Sequence, residues 1–569
     1  MKVSDAVIKF LVDKGIKHVF IISGGAIMHI GDSLNNYPIK YVCLHNEQSL
    51  SMCVEAYGRV KEDIGICIVT SGPGGSNAIT GVLSGFIDSI PMMVISGQAG
   101  TNMLIGDTCE RQVGIQEADI ISMVKPITKY AKLILDKDTV LDEMEKAYHI
   151  AKEGRPGPVW LDIPVDIQGQ QIEYNYQGLT PEPVPKCGDD EVEYIAEMFL
   201  NAKKPVIQAG YGIRLGKALT QFEKLIQVVK CPVQTTWSTA DYLDDNDIRY
   251  AGHPGTWGQQ WANMITQRTG LLLCLGTRLS VPQTGYYLDL WGKNAVKIVV
   301  DIDDPVLKRC AKMGCITIKS DVKYLIESLV DVLEGKQFEY QEWLRECQEL
   351  KRAYPICKPE YYQEQLNSYV FYQYLSSIVD NRYIITSDVG TSFAGMFPVW
   401  RVKKGQRIIN SSGLSSMGHG LPSAIGAWFA SEGKRPVIMF CGDGGFQMNI
   451  QELQTIKHHN IPVKMFIFCN DGYLTQKHTQ MNHYKRFTAS DSTSGVSMPD
   501  FVEVAKGYGI DGYHIRTQDD FAKLGDILAM DKPVLVSVHT GIYQPIDPKL
   551  GAKIVDGKFK PVEFDEMIT

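Results

Sequence analysis

Asp443 stands between Gly442 and the pair Gly444 and Gly445, directly after the apolar run 437–440, and Asn470 follows 27 positions later. A carboxylate and an amide carbonyl, each at the end of an apolar strand-like run, are oxygen donors of the kind a hard divalent cation takes. With a backbone carbonyl added they would suit Mg2+, which keeps part of its coordination for waters or phosphates. The surrounding glycines would let backbone N–H groups close on a phosphate at a helix start. The plainer alternative is an Asp that caps one helix and an Asn that fills a turn. The helical pattern at 451–459 between the two residues, with a strand before each, favours the metal.

Such residues need parallel strands to present them. The runs 18–22, 41–44 and 66–69 are each followed by turn residues (23–25, 45–47, 70–75) and then by a helical pattern, which implies a parallel sheet with crossover helices. A second set of strands is expected near 206–209, 271–275 and 298–301, and a third at 383–386, 437–440, 464–468 and 534–538. The fold class is therefore α/β, with three consecutive doubly wound parallel-sheet domains at 1–172, 188–337 and 360–552. A proline-rich polar linker is expected at about 175–188. In open sheets of this kind ligands bind beyond the carboxyl ends of the strands.

The 569 residues carry 57 Lys and Arg against 65 Asp and Glu, a formal charge of −8 with no basic block, which argues against nucleic acid or an anionic membrane surface as partner. No apolar run approaches the roughly 18 residues of a membrane span, and the helical pattern of the first 15 residues is unlike a signal peptide. Thirteen cysteines without a CxxC pair read as reduced core thiols, which fits a cytoplasmic protein and not a zinc site.

Taken together, Gly442, Asp443, Gly444 and Asn470 resemble the thiamine-diphosphate-binding signature, GDG followed about 25 residues on by two asparagines. Here the second asparagine is Asp471. The stretch 44–59, the run 70–80 and the runs 88–98, 116–119, 125–129 and 155–158 extend the likeness over nearly the whole chain, to acetolactate synthase large subunits among thiamine-diphosphate enzymes. The resemblance implies a pyrimidine-binding domain, a central domain and a diphosphate- and Mg2+-binding domain. It implies Asp443, Asn470 and the carbonyl of Gly472 as metal ligands, and Glu47 as the carboxylate beside N1′ of the cofactor. Met417 would support the bent cofactor, and Ser415 would offer its carbonyl to the 4′-amino group. Gly390, Thr391 and Ser392 would meet the diphosphate, with Gly24, Pro73, Asn77, Gly442, Gly444, Gly445, Tyr473 and Leu474 also lining the cofactor. Gln98, Gln116 and Lys129 would bind or polarise substrate. The active site would lie between subunits of a homodimer or homotetramer.

The implied reaction is decarboxylation of a 2-oxo acid, pyruvate by analogy, with transfer of the acyl-anion unit to a second carbonyl compound. Two departures bear on the acceptor. Ile115 stands where acetolactate synthases carry Phe, and Thr479 stands opposite a family Trp. A ketosugar or other specialised acceptor, a pyruvate-oxidase-like activity and a simple decarboxylase are the alternatives. No histidine pair occurs in the first segment, which counts against the last. His419 and His478 are candidates for proton transfer. For FAD, only Gly276 and Arg278 persist of the relatives' binding run at 275–280, and Asp301 and Asp303 match the next strand end, so the balance tips against FAD. Retention of Glu47, Asp443 and Asn470 argues against a non-catalytic scaffold.

Overall fold

A computed structural model describes residues 1–363, 365–555 and 558–567; Glu364, inside the third expected domain, lies outside the described residues. Among the described residues seventeen strands fall into three parallel sheets, and Ala552–Val555 and Lys558–Pro561 form a separate antiparallel pair. The first holds β1 (His18–Ile21), β2 (Lys40–Cys43), β3 (Gly65–Val69), β4 (Met92–Gln98), β5 (Tyr130–Leu133) and β6 (Pro158–Pro164), in the order β2-β1-β3-β4-β6-β5. The second holds β7 (Pro205–Ala209), β8 (Val233–Thr235), β9 (Leu271–Leu275), β10 (Val296–Asp301) and β11 (Ile316–Lys319), ordered β11-β10-β9-β7-β8. The third holds β12 (Ile384–Ser387), β13 (Arg407–Asn410), β14 (Val437–Gly442), β15 (Lys464–Cys469), β16 (Asp511–Ile515) and β17 (Val534–His539), ordered β13-β12-β14-β15-β17-β16. No helix or strand occupies 172–188.

Counted from its own first strand, the third sheet repeats the order of the first, and the second shares their 2-1-3-4 portion. In each sheet the chain reverses its direction of travel between local strands 1 and 3, and the crevice at that point is where an open α/β sheet takes ligands. In the third sheet these are β12 and β14, whose ends lead into Gly390 and Asp443. Interior strands such as β3, β4, β6, β9 and β12 are buried along their whole length, because helices cover both faces. The outer strands β2 and β11 each bury one residue in four.

The first and third sheets share one apolar cluster, from Phe20 and Val42 to Ile467 and Leu535. At its centre the helix Glu47–Lys61 is buried continuously from Ser49 to Arg59. Glycines on both neighbouring helices allow this. A Cβ on Gly81 of Pro73–Asp88 would lie 2.5 Å from the Met52 amide nitrogen, and one on Gly426 of Gly420–Ala430 would lie 2.1 Å from the Cys53 carbonyl oxygen. Backbone cannot yield as a side chain does, so Gly426→Ala is expected to cost about 1–3 kcal/mol through overpacking, read as a lower melting temperature.

Inside this contact, Arg59 bridges Glu55 at 2.5 Å and Asp88 at 2.6 Å, and His419 Nε2 lies 3.2 Å from Glu55 Oε2. Burial alone would raise the Glu55 carboxyl, but Arg59 and His419 outweigh it and hold the group at about 2. The pairing of these buried charges is what makes their desolvation tolerable.

Candidate active site at the strand ends

Asp443 is the first residue of the short helix Asp443–Gln447, at the end of β14, and is 1% exposed. Its Oδ1 accepts the Gly444 amide at 2.8 Å, and its Oδ2 accepts the amides of Asn470 at 3.0 Å and Gly472 at 3.1 Å. Burial pushes its pKa up to about 6, against the pull of those three N–H groups. The carboxylate thus ties the end of β14 to the turn after β15, which a helix cap alone does not require.

Asn470 is buried, and its side-chain Oδ1 has no hydrogen-bond partner. A buried carbonyl oxygen left unpaired costs about 1–3 kcal/mol, so an oxygen-seeking cation beside Asp443 would satisfy both groups at once. Gly472 is at φ +102°, and a Cβ there would meet the Ser490 carbonyl oxygen at 2.4 Å, so only glycine fits this turn. Its amide is engaged by Asp443. Asp471, where the family signature has its second asparagine, turns to Ser492 instead, accepting its hydroxyl at 2.8 Å. Asp443, Asn470 and a backbone carbonyl fit Mg2+ by donor chemistry. Among the described residues there is no cluster of three or more His, Cys, Asp or Glu side chains able to hold a metal.

The neighbouring loops converge on the same strand ends. Gly390 (φ +72°) precedes the helix Thr391–Met396, and its ideal Cβ would be 4.0 Å from Thr475 Cγ2, at the start of the helix Leu474–Tyr484. Thr391 is half-buried; Ser392 is buried and donates its hydroxyl to the Val389 carbonyl at 2.9 Å. The Tyr473 ring lies over Gly444, where a Cβ would approach it to 2.2 Å, and Leu474 is buried. Gly445 packs on Asp388. That buried carboxylate accepts the amides of Gly418 at 2.9 Å and Gly420 at 3.1 Å, and so anchors the loop carrying Ser415 (φ +55°, exposed) and half-buried Met417.

In the first sheet Gly24 follows β1 and abuts Thr70, whose Cβ would lie 2.4 Å from a Cβ at Gly24. Glu47 opens its helix half-buried, and Asn77 donates to its Oε2 at 3.1 Å. Pro73 starts the helix that carries Asn77, and both are exposed. Gln116, also exposed and at φ +58°, lays its carbonyl oxygen 2.6 Å from where a Cβ of Gly72 would be. The structure thus gathers Gly24, Glu47, Pro73, Asn77 and Gln116 at the carboxyl ends of the first sheet. Gly390 to Ser392, Ser415, Met417, Gly442 to Gly445 and Asn470 to Leu474 gather at those of the third.

Two substrate assignments need correcting. Lys129 lies at the amino end of the first sheet: its amide donates to the Pro158 carbonyl at 2.8 Å, and its Nζ to that of Glu153 at 2.5 Å. Burial lowers its pKa to about 8, but it is at the wrong end of the strands for the site. Gln98 lies at the right end with its amide already spent. Its Nε2 donates to Ala118 at 2.8 Å and Asp162 at 2.9 Å, while its Oε1 accepts the Ala99 amide at 3.0 Å. It can hold the segment leading from Gln116, and has no donor left to polarise a substrate. The proton-transfer candidates are also engaged: His419 with Glu55, and His478 Nε2 with the Gln544 carbonyl at 2.7 Å.

Asp162 beneath Gln98 is pushed up to about 7 by burial, against its bonds from Ser96 and Gln98. A carboxyl with a raised folded-state pKa keeps its proton in the native protein while the unfolded chain loses it. Stability from this group is present below the ordinary value of 3.8 and declines as pH rises toward 7, by about 1.4 kcal/mol per unit. Asp162→Asn is therefore expected to flatten the fall in melting temperature between pH 5 and 7.

Three residues escaped the sequence reading. Asp388 occupies the strand-end position after β12 that Asp443 occupies after β14, and that parallel was a usable signal. Lys477 is buried and donates to the carbonyls of Asn470 at 2.7 Å and Asp471 at 3.2 Å. Glu452 is wholly buried and reaches into the first domain. At the central sheet's own crevice lies a cavity of about 700 Å³, lined by Arg155, Gly212, Gly276, Arg278, Asp301 and Ser320 among others. Among the described residues no helix is long and apolar enough to cross a membrane.

Comparison with known proteins agrees with the three-sheet architecture. Residues 1–123 match the N-terminal TPP binding domain of thiamine pyrophosphate enzymes, residues 192–329 the central domain, and residues 388–538 the C-terminal TPP binding domain. The chain is 31% identical over 555 residues to the acetolactate synthase large subunit of Cyanidium caldarium, covering 93% of this chain and 92% of the relative. It is 30% identical over 600 residues to a probable acetolactate synthase large subunit of Methanocaldococcus jannaschii, covering 100% and 98%. It is also 30% identical over 585 residues to the chloroplastic acetolactate synthase 2 of Zea mays, covering 99% and 90%. With three domain matches in order, glycine turns at both outer crevices and relatives spanning almost the whole chain, the protein belongs to the thiamine pyrophosphate enzymes, as an acetolactate-synthase-like transferase.

Proposed function

We propose that the protein is a Mg2+-dependent carboligase that decarboxylates a 2-oxo acid, with pyruvate as donor, and joins the acyl unit to a second carbonyl compound. The observation that carries the reading is the unpartnered, buried Asn470 Oδ1 beside Asp443, in a turn that admits only glycine at 472. Asp443, Asn470 and the Gly472 carbonyl would hold the metal. The amides of Gly444 and Gly445, with Gly390, Thr391 and Ser392, would receive the diphosphate. Bound thiamine diphosphate supplies the acyl-anion chemistry. Glu47 holds the proton at N1′, steadied by Asn77; Met417 and the Ser415 carbonyl orient the ring, and exposed Gln116 faces substrate.

Glu47 and Asp443 belong to different sheets, and half-exposed Glu47 is consistent with completion of each site by a second copy in a homodimer or homotetramer. The domain limits 1–172, 188–337 and 360–552 and a cytoplasmic location belong to the same proposal. FAD stands outside it, since only Gly276 and Arg278 of the relatives' binding run persist. The central cavity has Arg278 and Asp301 on its wall, and a flavin spectrum from purified protein would reverse this. An acceptor other than a second pyruvate is favoured by Ile115, which is 89% exposed where the relatives' aromatic would stand.

The test is incubation with thiamine diphosphate, Mg2+ and pyruvate, with products identified by NMR. Acetolactate supports the donor and makes a second pyruvate the acceptor, against the reading of Ile115. Acetaldehyde and carbon dioxide alone indicate a decarboxylase, and acetate an oxidase-like enzyme. Pyruvate consumed only when a ketosugar or other carbonyl compound is added moves the acceptor. No pyruvate turnover under any of these conditions overturns the donor.

A further inference from the structure

Glu452 ends the 3-10 turn Ile450–Glu452, nine positions after Asp443, and has no solvent exposure. A carboxylate in that setting is tolerated only where its oxygens are met by donors. Oε1 accepts the His45 amide at 3.0 Å and the Ser49 hydroxyl at 2.5 Å, and Oε2 accepts the Thr455 hydroxyl at 2.6 Å. Two of the three donors therefore come from the first domain, and they flank Glu47 by two residues on either side.

The geometry of the helix gives this clamp a direction. Successive helical residues are about 100° apart, so Ser49 and Glu47 project from nearly opposite faces. Holding Ser49 and His45 on one oxygen turns that face toward Glu452 and leaves Glu47 on the other, where Asn77 meets its Oε2. Asn46 closes the turn by accepting the Gln48 amide at 2.8 Å. A negative group at the start of Glu47–Lys61 is also favoured by the helix dipole.

We propose that Glu452 is a positioning residue for Glu47: a carboxylate of the third domain that fixes the direction of the proton-holding carboxylate of the first. The proposal rests on the assignment of Glu47 made above, and its test separates the two. Glu452→Ala, Glu452→Gln, Ser49→Ala and Glu47→Gln are made in the full chain and compared at saturating thiamine diphosphate and Mg2+. Amide hydrogen exchange of residues 44–52 is measured without cofactor, and proton exchange at C2 of the bound cofactor by NMR.

Glu452→Ala should speed amide exchange in 44–52 at least about tenfold and slow C2 exchange about 10- to 100-fold, as small misplacements of a reacting group do. Cofactor affinity should hold to within a fewfold. Glu452→Gln keeps one carbonyl oxygen for His45 and Ser49 and should recover most of the rate. If Glu452→Ala fails to fold, Ser49→Ala reads the same clamp through a severalfold loss. C2 exchange at the wild-type rate in Glu452→Ala, or in Ser49→Ala where that is the only folded variant, overturns the proposal while slow exchange in Glu47→Gln leaves the Glu47 assignment standing. Wild-type exchange in Glu47→Gln removes both.

Discussion

Glu47→Gln is expected to slow C2 proton exchange in bound thiamine diphosphate, and turnover with it, by about 10²–10⁴-fold, the range in which a positioned acid–base group acts. The substitution is nearly isosteric, and its amide oxygen can still accept the Asn77 side chain that now meets Oε2 at 3.1 Å. The first turn should remain in place, since Asn46 caps it and Glu452 clamps it without using the Glu47 side chain. Cofactor affinity and melting temperature should therefore stay near those of the wild type, and only the capacity to hold a proton is lost. NMR of quenched exchange reactions gives the rate, and titration of cofactor gives the affinity. An exchange rate equal to that of the wild type would take Glu47 out of the chemistry.

The parts of this protein that were legible in its sequence are those whose chemistry permits few residue types. An apolar run ending in an Asp among glycines, with an Asn at the end of the following strand, restricts the meaning of Asp443 and Asn470 even before a fold is known. The alternation of apolar runs with helical patterns likewise gave three parallel α/β units. Strand order was not legible, because alternation says that strands are parallel and not which ones are neighbours. Outer strands such as β5, β11 and β16 were passed over because solvent on one side dilutes their apolar pattern. Lys129 and Gln98 were misjudged for a related reason. A motif does not say which end of a strand it occupies, or that Asp162, 64 residues away, already holds the Gln98 amide. Glu452 was out of reach altogether: its bond to Ser49 spans 403 residues, and a Glu before a helix has no local mark of burial.

The metal set carries the other large effect. Asp443→Asn removes the charge a cation needs and turns an NH2 group toward one of the amides of Gly444, Asn470 and Gly472 that now donate to the carboxylate. Mg2+-dependent cofactor affinity is expected to fall about 100-fold or more, since even supporting groups around a metal are worth 10–100-fold. Asn470→Ala separates binding from folding. In the cofactor-free protein its Oδ1 is a buried acceptor without a partner, so deleting it should leave stability unchanged or raise it, against the usual loss for a buried polar truncation. In the loaded protein the same oxygen would be a ligand. The wild type at 100 times its Kd gains about 2.7 kcal/mol from bound cofactor and metal, and Asn470→Ala should lose most of that gain. Melting curves with and without thiamine diphosphate and Mg2+, and again after chelation, measure both halves. A variant destabilised without cofactor and still stabilised by it as the wild type is would mean that Asn470 serves the turn and not the cation.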